Sequence, residues 1–281
     1  MIDGDLVADL CAAPVPLSSW PDDPLVPWGP PGAPVGVLWV HREIGQGPRL
    51  SNAHRPASAV GWRWLAEQLQ RPPAEAYALL RRLGGDGFPD RFIDIGLSTS
   101  LRSAPGWIRL YRDVAYTAMT AENQASCLAL LGEFADRVNP SYGQIGVVHP
   151  FPSATTLETC LPSAYGRNQP WQSIVESRQW LRGYTWVTVL GREHVARLGG
   201  IDTISSSGAF YEVVGLSGGG AVVRATEDFR EYDQQKAAQI FRALAPVLRP
   251  GLPSPPSTTY GAPFLIVYED ASFAAGRESQ G

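Results

Sequence analysis

The fold class is decided by residues 209–226, which read AFYEVVGLSGGGAVVRAT. Two apolar runs, residues 209–216 and 221–226, each contain adjacent valines and flank the turn Ser217-Gly218-Gly219-Gly220. Valine fits the pleated surface of a strand, and glycine can adopt the positive φ angles that a tight turn needs. The stretch therefore predicts a β-hairpin with two antiparallel strands.

Apolar patterns and turn signals predict further strands and helices on both sides of the hairpin. Strands are predicted at residues 35–40, 92–97, 107–114, 142–149 and 186–190, with an edge strand at 264–268. Helices are predicted at 73–83, 120–138, 170–181 and 193–198, and a last one begins after its capping residue Asp233 and buries Ala237, Ile240, Phe241, Leu244 and Leu248. Hairpins and helices thus connect the strands, which indicates an α+β fold with a mixed, largely antiparallel sheet and packed helices.

The helix predicted at residues 73–83 rests on three signals. Pro73 suits a first helical turn, leucines at 79, 80 and 83 share one face, and Gly84-Gly85 provides a stop. A second Leu-Gly-Gly ends the helix predicted at 193–198. This repetition raises the hypothesis that the chain contains two related halves. The near-continuous apolar run of the strand at 35–40 predicts burial on both of its faces.

Proline content suggests the domain boundaries. Residues 13–34 hold eight prolines, so residues 1–34 are expected to form an extended arm. The α+β domain is expected at 35–253, either as one unit or as two subdomains at 35–140 and 141–253. A Pro/Ser-rich segment, 254–281, follows.

Composition restricts the partners and the compartment. Hydrophobic residues make up 44% and the formal net charge is −4, which indicates a folded chain without the basic face that direct nucleic-acid binding needs. Cys11, Cys127 and Cys160 form no CxxC pair, which favours a reducing compartment. Neither a signal peptide nor a membrane-spanning run of about 18 apolar residues is recognisable. We therefore expect a cytoplasmic protein that has no membrane partner.

Motifs of common enzyme classes are missing from the sequence. The glycines at 218–220 lack the lysine of a phosphate-binding loop, and there is no GxSxG motif. Pro89-Asp90 resembles half of a restriction-type nuclease signature, but the only lysine, Lys236, lacks the glutamate two residues before it. The four histidines show no metal-ligand spacing, and His194 is interpreted as part of a polar helix surface. We expect no enzyme, no cofactor and no metal. The alternative is a hydrolase or nuclease-like enzyme with a dispersed carboxylate site.

Two features are candidate binding surfaces. Glu227, Asp228, Glu231 and Asp233 lie between a strand and a helix, where capping also favours acids; four in seven residues exceed what one cap needs. These four are the candidate partner-binding residues. The aromatic residues Trp171, Trp180, Tyr184 and Trp186 are better explained by core packing.

The segment from Pro170 to Pro253 resembles a known family. The resemblance is carried by Pro170-Trp171-Gln172-Ser173, residues 182–190 (RGYTWVTVL), 194–200 (HVARLGG), 208–210 (GAF), 218–226 (GGGAVVRAT) and 241–248 (FRALAPVL). These residues are similar to the immunity protein 52 family of bacterial polymorphic-toxin and type VI secretion systems. The resemblance implies a protein that binds and neutralises a cognate toxin, commonly a nuclease of restriction-endonuclease fold, without a cofactor. It covers about a third of the chain.

Overall fold

The computed structural model describes residues 34–43, 50–56, 58–70, 75–83, 89–98, 107, 109–114, 119–146, 157–163, 166–167, 170–254 and 265–277. Within these ranges the fold is α+β, as predicted, and all of the strand pairs are antiparallel. The chain divides into two compact units, residues 1–126 and 127–281. The predicted arm at 1–34 lies, apart from Pro34, outside the described residues.

Unit 1 contains a five-stranded antiparallel sheet with the order β2-β1-β3-β4-β5. The helix α1 lies between β2 and β3 and begins after Ser58, whose hydroxyl accepts a hydrogen bond from the Gly61 amide at 3.1 Å. Leu38 and Val40 on β1 and Trp62, Leu65 and Leu69 on α1 are buried. The elements are β1 Pro34–Glu43, β2 Leu50–Pro56, α1 Ala59–Leu69, β3 Glu75–Leu83, β4 Pro89–Ser98 and β5 Arg109–Val114.

The helix predicted at residues 73–83 is wrong, because this segment is the strand β3. It pairs with β1 on one side and β4 on the other, so both rows of its backbone groups have partners. Ala76 and Ala78 are buried at the alternating spacing of a strand. A short apolar run does not distinguish the two structures by itself, and here the neighbouring strands decide.

The expectation that both faces of the first strand are buried needs correction, and the repeated Leu-Gly-Gly sequence can be placed in the structure. On β1, Leu38 and Val40 are buried whereas Trp39 between them is half-exposed, so only one face is fully buried. Leu83 ends a strand while Leu198 follows a helix, so the two Leu-Gly-Gly sequences stand at different local structures. The repetition therefore gives no support to related halves.

Unit 2 contains a four-stranded antiparallel sheet with the order β10-β11-β9-β6. Its strands are β6 Tyr142–Ile145, β9 Val187–Leu190, β10 Glu212–Gly215 and β11 Ala221–Arg224, and a small pair joins β7 Pro162–Ser163 to β8 Gly166–Arg167. The helices are α2 Ala121–Val138, which spans the division between the units, α3 Leu157–Cys160, α4 Pro170–Val175, α5 Arg192–Arg197, α6 Ile201–Ser206, α7 Gln234–Leu244 and α8 Ala271–Arg277. Two 3₁₀ turns, Phe229–Glu231 and Ala245–Val247, flank α7. No helix in the described ranges has both the length and the apolar character that a membrane crossing requires.

The hairpin predicted from residues 209–226 is confirmed as β10 and β11. Gly219, at φ +84°, provides the left-handed residue of the three-residue turn. The Ser217 amide donates to a carboxylate oxygen of Asp136 on α2 at 2.5 Å. A Cβ atom at Gly220 would lie 2.6 Å from the carbonyl oxygen of Leu190, so only glycine fits there. The turn is thereby fixed against its surroundings.

The core of unit 2 lies around β9, all four residues of which are buried. The burial predicted for the inner face of α7 is confirmed for Ala237, Ile240, Phe241 and Leu244. Leu248 is also buried, but it follows the 3₁₀ turn after α7. Asp233 caps α7, as predicted, by accepting a hydrogen bond from the Lys236 amide at 2.8 Å.

The ends of unit 2 differ from the sequence-based prediction in three places. The helix expected at 170–181 stops at Val175 and continues as turns. The expected edge strand at 264–268 is irregular in its described part, where the Val267 amide donates to the Tyr184 hydroxyl at 2.9 Å. The helix α8 then follows, so α7 is not the last helix. At Val267 a hydrogen bond to the Tyr184 side chain takes the place of the backbone hydrogen bonds of a strand. The local sequence does not reveal this partner, because it lies 83 residues earlier in the chain.

Candidate functional site

Residues 227–233, termed the acidic segment, connect β11 to α7. The side chains of Glu227, Glu231 and Asp233 are exposed, and Asp228 is half-exposed. Phe229 and Tyr232 alternate with these acids and are buried, and the ring of Phe229 meets Trp186 edge-on at 6.0 Å between centroids. The buried aromatics therefore anchor the segment while the four carboxylates stay at the surface.

Hydrogen bonds fix the conformation of the acidic segment. The Asp228 carboxylate accepts from the Arg230 amide at 2.8 Å, and the Glu231 carboxylate accepts from the Asp228 amide at 3.5 Å. This is a capping box at the 3₁₀ turn, and Asp233 then caps α7. Asp228 and Asp233 thus have clear structural roles. Glu227 takes part in neither cap, so its position is not explained by helix capping.

The charge of the acidic segment is unbalanced. Within it, four carboxylates face the single guanidinium of Arg230, which pairs with Asp228 at 3.2 Å. Five carboxylates elsewhere in unit 2 each pair with an arginine: Glu133 with Arg137, Glu158 with Arg182, Glu176 with Arg249, Glu193 with Arg178 and Glu212 with Arg224. The acidic segment is therefore a net negative, conformationally fixed surface.

A cleft between α3, α4 and the chain before β9 contains two ion pairs. Arg182 holds Glu158 through two hydrogen bonds of 2.8 Å, and Arg249 holds Glu176 at 2.5 Å. The cleft is lined by Glu158, Leu161, Ser173, Glu176, Trp180, Leu181, Arg182 and Arg249. Both of its carboxylates are engaged by arginine and join segments that are distant in sequence. The two ion pairs therefore have a structural role in unit 2.

His194 on α5 is fully buried, at 0% exposure, so its interpretation as part of a polar surface is wrong. Neither ring nitrogen has a hydrogen-bond partner in the structure. Burial, reinforced by the positive charge of Arg197, lowers the pKa of His194 to about 4. A helix of six residues has too few turns to reveal its inner face by periodicity, which is why the sequence did not place this side chain.

The aromatic residues of the second candidate surface belong mostly to the core. Tyr184 and Trp186 are buried, as expected, and the Trp186 indole donates to the Thr226 carbonyl at 3.0 Å. Trp180 is half-exposed, and the Arg197 guanidinium lies over its ring, 4.8 Å from the ring centre. The side chain of Trp171 lies outside the described part. These rings stabilise unit 2 and provide no continuous aromatic surface.

A feature that the sequence did not single out is the outer face of the hairpin. Tyr211 and Val214, which lie beside and on β10, are 52% and 47% exposed. Arg224 pairs with Glu212 at 2.9 Å and lies 4.7 Å from the Tyr211 ring centre. The sequence predicts the hairpin but does not tell which of its strands lies at the edge of the sheet.

Metal-ligating side chains are not brought together in the part of the chain that the structure describes. No group of three or more His, Cys, Asp or Glu residues there has the geometry of a metal site. Cys160 is buried and Cys127 is half-buried, and Cys11 falls in a range without described structure.

Comparison with known proteins identifies no family for this chain. No protein-family model matches it, and no curated protein matches it. Among solved structures it is similar to a Pseudomonas aeruginosa T6SS protein, with 15% identity, a TM-score of 0.49, and an alignment that covers 85% of this chain and 71% of that one. A likeness of this degree carries no argument about function. The resemblance to the immunity protein 52 family rests on the residues quoted above.

Proposed function

We propose that this chain is an immunity protein that binds a cognate toxin and neutralises it in the cytoplasm, without a catalytic site or cofactor of its own. The resemblance of residues 170–253 supports the proposal and suggests a nuclease of restriction-endonuclease fold as the toxin. The acidic segment provides the physical support, because it is exposed, net negative and held in one conformation.

The acidic segment is the observation that carries the proposal. A nuclease binds its substrate through a basic groove, since nucleic acid presents a row of phosphates. Carboxylates on a fixed support attract such a groove over a distance and discriminate against partners of the wrong charge. Glu227, Asp228, Glu231 and Asp233 are the proposed contact residues, with Asp228 and Asp233 also maintaining the local structure.

The alternative function, a hydrolase or nuclease-like enzyme with dispersed carboxylates, finds less support in the geometry. The two carboxylates of the cleft, Glu158 and Glu176, are each engaged by an arginine. A general base must reach its substrate's proton, and a carboxylate that is held by two guanidinium hydrogen bonds is poorly placed to do so. The two bonds to Arg182 therefore make Glu158 a poor candidate for a catalytic base.

The test begins with a search of the genes next to this chain's gene for a secreted protein with a C-terminal toxin domain, and such a domain is termed the neighbour toxin domain. We expect calorimetry to show a 1:1 complex and the complex to have lost the domain's activity. The purified chain alone is incubated with DNA, RNA, Mg²⁺ and Mn²⁺ in parallel. Metal-dependent cleavage that disappears on replacing a carboxylate supports the enzyme instead, and the lack of any complex overturns the proposed immunity function.

Charge removal at the acidic segment should slow binding. In the double variant Glu227→Gln/Glu231→Gln, we expect the association rate constant for the neighbour toxin domain to fall about tenfold at low ionic strength. The difference should shrink in high salt, because salt screens exposed charges. Stopped-flow fluorescence measures the rate, and glutamine preserves the acceptor of the capping box.

The matched control removes the same charge elsewhere. Glu122→Gln/Glu133→Gln neutralises two exposed acids of α2 and should leave the association rate within twofold of the wild type. Equal slowing in both double variants would assign the effect to net charge, and unchanged rates in both would place the toxin interface away from the acidic segment.

A further inference from the structure

We infer that β10 is the docking strand for the toxin. The toxin would add an extended segment of its own chain beside β10, the outermost strand of the unit 2 sheet among the residues that the structure describes. The inference rests on the proposed function and names the surface that performs it. Strand addition of this kind combines main-chain hydrogen bonds with contacts to alternate side chains.

The hydrogen-bond pattern of the hairpin determines which backbone groups face outward. The Leu216 amide donates to the Gly220 carbonyl at 2.9 Å, and bonded pairs then alternate along an antiparallel ladder. In the observed register this assigns the inward bonds to Val214 with Val222 and to Glu212 with Arg224. The N–H and C=O groups of Val213 and Gly215 therefore point away from β11, towards the edge where β10 is the outermost strand.

The side chains of this edge favour an apolar, extended partner. Tyr211 and Val214 are about half exposed, and the one charge on the strand, Glu212, is already paired with Arg224. Edge strands are commonly protected by lysine, proline or an unpaired charge, and residues 211–216 include neither lysine nor proline. The edge thus offers backbone donors and acceptors together with apolar contact area.

The size of the edge argues against a second copy of this chain as the occupant. A stable interface buries about 1,200–2,000 Å² in total, and pairing two four-residue strands covers far less. An extended segment of another protein can continue past the strand. At the Tyr211 end, where its amide donates to the Arg224 carbonyl, the chain proceeds within three residues to Glu227. A toxin segment with apolar side chains and a lysine or arginine towards that end complements this surface.

Two variants test the inference against the neighbour toxin domain. Val213→Pro removes an N–H group that points away from β11 and leaves the hydrogen bonds to β11 intact. Edge strands tolerate proline at such a position. Val214→Lys places a charge on the exposed apolar contact without changing the backbone. Val213→Pro should weaken binding at least ~10-fold by calorimetry, the equivalent of one or two lost hydrogen bonds. Val214→Lys should weaken binding to a similar extent, because the interface would bury a charge without a partner.

The matched control is Val175→Lys, which changes a valine of similar exposure, 52%, at the end of α4 and should leave the affinity within twofold. Thermal melts check folding, and Val214→Lys keeps the test valid if Val213→Pro is unstable. If the wild type binds the neighbour toxin domain and Val214→Lys binds it with the same affinity, β10 is not the docking strand, whereas the proposed function stands. No wild-type binding overturns both. A wild-type dimer in sedimentation that Val214→Lys abolishes would assign the edge to a second copy, against the inference.

Discussion

Replacing Arg182 by leucine is expected to lower the free energy of unfolding by about 3–5 kcal/mol. Arg182 holds the carboxylate of Glu158 in two hydrogen bonds, and that carboxylate is 8% exposed. Without the guanidinium, a nearly buried negative charge loses the positive charge that balances it, which costs far more than the loss of an exposed pair. Urea denaturation followed by circular dichroism measures the change.

Arg249→Leu is the matched control for this prediction. It breaks the neighbouring pair with Glu176, whose side chain is 40% exposed, so the loss should stay below about 1 kcal/mol. The double variant Arg182→Leu/Glu158→Leu should recover most of the stability, because no unpaired charge remains. Equal losses for the two arginine variants, or no recovery in the double variant, would contradict the structural role assigned to the Glu158 pair.

The stability of the protein should fall by about 3 kcal/mol between pH 6.5 and pH 4 because of His194. The pKa of His194 is lowered from 6.5 to about 4 by burial, so the folded chain keeps this ring neutral in that range. The unfolded chain binds a proton there, and protons bound only to the unfolded state favour unfolding. Below the folded pKa this loss levels off.

The variant His194→Leu isolates the effect. It should show a flatter pH dependence and a stability at pH 7 equal to or above the wild type, because an imidazole without hydrogen-bond partners is removed. The pKa values of Glu193 and Asp270 are lowered mainly by hydrogen bonds and, for Glu193, by Arg178, so their stabilisation is lost in more acidic solution in both proteins. Parallel stability curves for wild type and variant from pH 7 to 4 would show that His194 is not the buried neutral group described.

Local chemistry made part of this fold predictable. The hairpin follows from a glycine turn between valine pairs, and the cap of α7 follows from Asp233 three residues before the amide it binds. Both depend on neighbours in sequence. The strand β3 was mistaken for a helix because its identity depends on β1 and β4, which are distant in sequence. Its leucine spacing fits either structure.

The candidate site shows the same limit. The four acids of the acidic segment could be selected from the sequence as candidate binding residues, because they lie within seven residues. The structure adds that Asp228 and Asp233 also have capping roles. The exposed edge of β10 could not be chosen, because only the strand order reveals which strand has a free side. The burial of His194 likewise depends on what packs around a one-turn helix. Sequence located the elements of a surface, and tertiary structure decided which of them face outward.

Survival of cells that produce the neighbour toxin domain is the most direct measurement of the central claim. Bacteria that express the domain with an empty vector should stop growing, and co-expression of this chain should restore growth. The variants Val214→Lys and Glu227→Gln/Glu231→Gln should protect less than wild type at equal protein levels. Growth arrest despite abundant, folded wild-type chain would contradict the account of this protein as the toxin's immunity protein.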